Sequence, residues 1–231
     1  MTNETTGGAH DTAAVLDPVE LRVLAVLAEK EALTPDNYPM SLNAIVNGCN
    51  QLSSRDPVMQ LGEDTVLDTL QRLTERKLVN AISQAGARVV KYEHRMRIKW
   101  TLEQDKLAVL TILMLRGLQT AGEIRTRTGR LHEFKTVQDV ENALQFLIDK
   151  YPPLVAKLDR APGAKESRYG QLLGGEITIV AGSEQNASGS SSGGGQTQGA
   201  RVQQLEQEVA SLRGELEELK VQFEAFRQQF Q

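Results

Sequence analysis

Apolar residues recur at helical spacing in two matching stretches of this chain. After Asp17, the positions Leu21, Leu24, Leu27 and Ala28 form one buried stripe of a helix. Asp17 is placed to cap it, with Pro18 at the first helical position and Glu20 three residues after the cap. Thr34 to Pro39 holds two prolines and is expected to be non-helical. Ser41 can cap a second helix whose inner face is Leu42, Ile45, Val46 and Cys49. A long loop, Asn50 to Gly62, leads to a third helix, opened by Glu63 and Asp64 and buried through Val66, Leu70 and Leu73. The β-prone run Leu78 to Ile82 then starts a Gly-centred hairpin.

The same construction begins again near Lys106. Leu107 to Leu115 is apolar almost all round, which predicts a central helix covered on most sides. Gly117 is its expected C-cap, and Thr120 with Glu123 and Thr136 with Asp139 are capping boxes for the next two helices. Val140, Leu144 and Leu147 repeat the four-then-three spacing of the earlier third helix. Pro152-Pro153 closes that helix, and Ala161 to Ala164 is the expected turn between strands in Leu154–Asp159 and Glu166–Leu172. Three helices and a two-stranded wing, twice over, predict a mainly α chain with small β wings. The reading is two tandem winged-helix domains, over residues 17–99 and 100–180, relatives of the helix-turn-helix. Units of this kind usually read nucleic acid or bind other proteins.

The pattern fades at both ends. Residues 1–16 are rich in Thr, Gly and Ala without a period and are read as a disordered N-terminus. Residues 181–200 form a Gly/Ser-rich flexible linker. From residue 201 to 231, Val202, Leu205, Val209, Leu212, Leu216, Leu219, Phe223, Phe226 and Phe230 alternate steps of three and four, an a/d coiled-coil seam. In a parallel dimer the facing pairs are Arg201–Glu206, Glu208–Arg213, Glu215–Lys220 and Gln222–Arg227, none of them repulsive. A parallel homodimer is therefore expected. A helix folding back on its own domain is the alternative, and the terminal phenylalanines leave a trimer open.

Charge refines the picture. The net charge is −4, yet residues 17–176 hold 22 Lys/Arg against 21 Asp/Glu, so the excess acid lies in the tails. The one cysteine, Cys49, excludes an internal disulfide framework and fits a reducing compartment. The first 15 residues lack a basic start followed by an apolar run, and no apolar stretch reaches the roughly 20 residues of a membrane span. A soluble, cytoplasmic protein without membrane association is expected.

Several stretches together carry a family likeness. They are Tyr38-Pro39-Met40-Ser41-Leu42-Asn43-Ala44, Cys49-Asn50-Gln51 with Ser54-Arg55-Asp56-Pro57-Val58, and Val90-Lys91-Tyr92-Glu93-His94-Arg95. With Leu115 to Arg125, and Pro162-Gly163 followed by Arg168-Tyr169, they resemble the YceH-like family of uncharacterised bacterial proteins. The resemblance covers roughly Asp17 to Glu176. It implies tandem winged helices and a DNA-binding role, offers no catalytic residues, and leaves the linker and coiled coil as a variable tail.

For DNA, the third helices are poor readers. One offers Asp64, Asp68 and Thr69, with Arg72, Arg76 and Lys77 only toward its end; the other offers Gln138, Asp139, Glu141, Asn142 and Gln145. Carboxylates repel phosphate, on whose neutralisation DNA affinity largely rests. Positive charge gathers instead at Arg88, Lys91, Arg95, Arg97 and Lys99 in the first wing and its exit. A second group is Arg125, Arg127, Arg130 and Lys135. These nine are the candidate phosphate contacts, set against the plainer reading of solvated faces. Arg55 is expected to pair locally with Asp56, and Trp100 to lie in the core between the copies. Asn43, Asn47, Asn50 and Gln51 are expected to support the long loop rather than to form a recognition face.

No catalytic, cofactor or metal site is expected. His10, His94 and His132 are not at metal-ligand spacing with Cys49, and no nucleophile elbow or phosphate loop is present. Cys49 reads as a small buried hydrophobe. Of three function classes, a hydrolytic enzyme has the least support in these residues, and two lead. The first is a non-enzymatic, transcription-regulator-like protein binding double-stranded DNA and dimerising through the coiled coil. The alternative is a protein-interaction adaptor whose winged helices dock a protein partner without DNA.

Overall fold

A computed structural model of the chain describes residues 15–83, 89–160 and 165–177. The wing turn Ala161 to Ala164, the linker and the whole seam from Val202 to Phe230 lie outside them. The described residues are mostly helical, with small antiparallel sheets. Helix α1 is Pro18–Leu33, α2 Leu42–Cys49 and α3 Glu63–Glu75; strands β2 Val79–Ile82 and β3 Lys91–His94 follow. After a short α4, Met96–Trp100, the sequence repeats with α5 Gln104–Arg116, α6 Ala121–Thr128, α7 Val137–Ile148, β4 Val155–Lys157 and β5 Tyr169–Gln171.

The caps stand where the sequence sets them. The Asp17 carboxylate accepts from the amides of Val19 and Glu20, both at 2.8 Å, and Glu20 accepts from the Asp17 amide at 3.0 Å. Ser41 caps α2, while Thr120 with Glu123 and Thr136 with Asp139 complete boxes on α6 and α7. Gly117 ends α5 with φ +69°, the left-handed region where glycine carries no Cβ penalty.

Helix α1 departs from the single stripe. Every residue from Glu20 to Glu29 is buried, as is every residue from Leu107 to Leu115 in α5. The two helices pack on each other as the broadest helix contact among the described residues. Val23, Ala25 and Val26 lie off the predicted stripe, and α5 helps cover the side of α1 that a peripheral helix would leave in water. One continuous core therefore runs through both copies, from Leu24 and Ile45 to Leu110, Ile124 and Leu144.

Each unit also has a β pairing that the periodicity does not reveal. Strand β1, Met40–Ser41, pairs with β3 through Met40–Tyr92 and Ser41–Lys91, giving the order β1-β3-β2. In the second unit Gln119 bridges Tyr169 just ahead of α6, while β4 and β5 pair from Val155–Gln171 to Lys157–Tyr169. A two-residue strand and a single bridge are too short to leave an alternation in the sequence.

Smaller corrections follow from packing. Pro35–Asn37 closes a 3-10 turn, with Pro35 at the first position where its missing N–H costs nothing. Leu16, assigned above to the disordered terminus, is 3% exposed and its amide donates to Leu173 O at 2.8 Å. Arg55 pairs with Glu29 rather than Asp56: its side chain is fully buried, with Nη2 2.6 Å from the Glu29 carboxylate. It also donates to Gly48 O and Gln51 Oε1, so it holds the end of α2 against α1. Gly48 sits at that crossing, where a Cβ would come 2.5 Å from Val26 Cγ1. Asn50 closes the long loop by donating to Leu61 O at 2.9 Å and accepting from its amide at 2.7 Å. The supporting role expected of Asn50 and Gln51 is thus in place, whereas exposed Asn43 and Asn47 bond to each other.

Candidate nucleic-acid interface

The outer face of α3 is built from Glu63, Asp64, Leu67, Asp68, Gln71 and Glu75, all exposed. The cations near it turn elsewhere. Arg72 donates to the Asp17 carboxylate at 3.0 Å, and Arg76 lies 2.8 Å from Glu20. The acids that begin α1 thus neutralise the arginines at the far end of α3. The remaining face is anionic around one apolar residue, Leu67, 42% exposed.

Helix α7 is similar. Val137, Gln138, Asp139, Glu141, Asn142, Gln145, Phe146 and Asp149 are exposed. Lys150 and Lys106 stand over the Phe146 ring, at 4.7 and 5.3 Å. An open hollow of about 610 Å³ lies beside it, lined by Lys106, His132, Phe134, Lys135 and Asp139 among others. His132 meets Phe134 edge-on at 4.7 Å.

The nine candidate phosphate contacts divide into two groups, with Arg88 outside the described residues. Arg97 is tied to Glu31 at 3.0 Å and to Gln104. Arg125 donates to the carbonyls of Phe134 and Lys135 at 3.3 and 3.1 Å. Arg127 donates to Gln119 Oε1 at 2.7 Å and lies 3.6 Å from Glu123. These three serve the fold. Lys91, Arg95, Lys99, Arg130 and Lys135 make no side-chain hydrogen bond or ion pair among the described residues.

The buried polar clusters were the least legible part of the sequence. His94, 8% exposed, accepts at Nδ1 from the Met96 amide at 3.2 Å, which leaves Nε2–H to donate to Glu31 at 3.1 Å. The Tyr38 hydroxyl accepts from the His94 amide at 2.8 Å. The hydrogen bond from His94 holds the Glu31 carboxyl down to about 2, with Arg97 adding and burial opposing. A depressed carboxyl stabilises the folded state above its unfolded value, and that contribution fades as pH falls from about 4.5 toward 2. Glu31→Gln is therefore expected to destabilise the protein at pH 7. The gap from wild type should narrow in urea melts at about pH 3, and an unchanged gap would deny Glu31 this role. Cys49 is fully buried, and burial pushes its thiol up to about 12, the behaviour of a packed side chain rather than a nucleophile.

The profile of the family described as "Protein of unknown function, DUF480" matches residues 16–164, which span both helical units. The chain belongs to the DUF480 family. This agrees with the YceH-like resemblance. Among similar proteins, the UPF0502 protein of Janthinobacterium sp. (strain Marseille) is 65% identical over 217 residues, covering 94% of this DUF480 chain and 92% of its own. The UPF0502 protein azo0627 of Azoarcus sp. (strain BH72) is 49% identical over 227 residues, covering 98% and 99%. That of Vibrio parahaemolyticus (VPA1223) is 46% identical, covering 91% and 97%. The Azoarcus alignment enters the C-terminal tail, so this relative shares the part of the chain expected to be variable. No helix among the described residues of this DUF480 chain is long and apolar enough to cross a membrane.

Proposed function

We propose that the two units of this DUF480 chain are tandem winged helices that dock a protein partner, without catalysis and without reading DNA bases. The observation that carries this reading is the outer face of α3, where Glu63, Asp64, Asp68 and Glu75 surround Leu67 while Arg72 and Arg76 are held by Asp17 and Glu20. A helix meant for the major groove would set cations against phosphate; this one would be repelled. An apolar residue ringed by charge suits a protein surface instead. The coiled-coil seam from Val202 to Phe230 would pair two such modules in the cytoplasm. A DNA-binding, regulator-like role is the second reading. It is favoured by Lys91, Arg95 and Lys99, which are unpaired among the described residues beside the first wing and could hold the DNA backbone.

Fluorescence anisotropy with random-sequence duplex DNA separates the two. The full chain is expected to show no salt-dependent binding between about 50 and about 150 mM salt. The Asp64→Lys, Asp68→Lys, Glu75→Lys variant is expected to gain at least about ten-fold in affinity at the lower salt, because only charge keeps α3 from the groove. Wild-type binding that disappears in Lys91→Glu, Arg95→Glu, Lys99→Glu would instead establish the regulator reading.

A further inference from the structure

The segment after α2 gathers more guanidinium than carboxylate. Arg22 is 2% exposed; its Nη1 donates to Cys49 O at 3.2 Å and its Nη2 to Pro57 O at 2.6 Å. Those acceptors and the partial negative charge at the end of α2 hold it, but no carboxylate among the described residues forms an ion pair with it. Arg55 is paired with Glu29 and also donates to Ser54 O at 3.0 Å. From the second unit Arg116, the last residue of α5, reaches the same segment. Its Nη2 donates to Ser54 Oγ at 2.6 Å, while its Nε is buried with no acceptor among the described residues, as is the Nε of Arg22. Burial lowers the Arg116 pKa, and Arg127 and Arg55 lower it further, so the guanidinium groups lie near enough to repel one another.

The nearby carboxylates do not answer this charge. Asp56 is exposed and close enough to favour the charged forms of Arg22 and Arg116, yet it pairs with neither among the described residues. Glu123 is shared between Arg127 and Arg168 at 3.6 and 3.7 Å. A charged donor left dry and unbonded is costly, and the positive charge gathered around it favours an anion at the exposed edge of the segment, at Ser53 and Ser54. The turn supplies further donors: Ser54 has φ +62°, and the amides of Ser53 and Ser54 make no hydrogen bond within the described protein. Successive free amides at a left-handed residue form a concavity suited to an oxyanion.

We propose that Arg116, Ser54 and the amides of the Ser53–Ser54 turn form a binding site for a phosphate-type oxyanion, shared between the two units, with Arg127 adding positive charge while it stays bound to Gln119 and Glu123. The ligand is free phosphate or the phosphate of a monoester, since the planar guanidinium fork and the hydroxyl match its oxygens and its charge offsets the local excess. The site does not involve the outer face of α3 and stands whether or not that face docks protein.

The test is isothermal titration of the full chain with inorganic phosphate and with O-phosphoserine, in chloride buffer of matched ionic strength. Saturable binding of at least one is expected. Arg116→Gln should weaken it by about ten-fold or more and Arg127→Gln by a smaller factor through lost charge, while Arg160→Gln should leave it unchanged. A preference for O-phosphoserine would assign a monoester ligand, and equal or stronger binding of inorganic phosphate would assign the free ion. If Arg116→Gln does not fold, Arg127→Gln carries the comparison. It is backed by a phosphate-dependent rise in the wild-type Tm over the chloride control. Absence of saturable binding would overturn the proposal, as would binding that both substitutions leave intact, which marks an adventitious ion only.

Discussion

Arg55→Met is expected to lower the unfolding free energy by about 3–5 kcal/mol, read from the urea midpoint at pH 7. The side chain is fully buried and makes two short bonds to Glu29, at 3.1 and 2.6 Å, besides those to Gly48 O and Gln51 Oε1. Removing it strands Glu29, 7% exposed, with Lys30 at 3.2 Å its one remaining ion-pair partner among the described residues. Burial pushes the Glu29 carboxyl up, but the bonds and charge of Arg55 and Lys30 outweigh it, so the group stays below the ordinary carboxylate range. The loss should therefore come mainly from an uncompensated buried charge. A second substitution tests this: adding Glu29→Met to Arg55→Met should recover at least half of the lost stability. If the double variant is no better than Arg55→Met alone, the pair's worth lies in its grip on α2 instead of in charge.

Leu110→Ala is expected to cost about 2–5 kcal/mol and to leave a single cooperative transition. Leu110 is fully buried in α5, the helix that packs most broadly on α1, and the core cluster runs without a break from the first unit into the second. A cavity there weakens the packing that both units share, so both should melt together. Thermal unfolding followed by near-UV circular dichroism and by calorimetry checks this. Two separated transitions would mean that each unit folds on its own core and that the α1–α5 contact is an interface between finished domains.

Much of the helical architecture was legible because its signals are local. Asp17, Thr120 and Thr136 cap the helices they were assigned, and Val66, Leu70, Leu73, Val140, Leu144 and Leu147 are all buried. The continuous apolar run of α5 announced a central helix. For its partner α1 the spacing shows one buried stripe, although a lone Arg22 inside Leu21-Arg22-Val23-Leu24-Ala25-Val26-Leu27 is a sign of deeper burial. An arginine in such a run must find carbonyls, here those of Cys49 and Pro57, and their position depends on how a distant loop folds back.

The candidate interface was legible only in part. The acidic character of α3 and α7 follows from the residues themselves, but the fate of each cation does not. Lys91 and Arg97 look alike in sequence; one makes no pair among the described residues and the other is bound by Glu31 and Gln104. Arg72 and Arg76, the only arginines of α3 and its end, are taken by acids more than 50 residues earlier.

The order of the longer helices, their caps, the repeat and the family are written in the local pattern of residues, because apolar period and capping act within one or two turns; the short α4 is not. The tertiary structure alone decided that α1 and α5 form a common centre and that Arg55 belongs to Glu29. It also decided which arginines are spent on the fold, and that Arg116 meets Ser54 across the two units. The physical reason is range. A hydrogen bond or ion pair between residues 26 to 66 positions apart is selected by the geometry of the packed chain, and no local pattern of residue types encodes that choice.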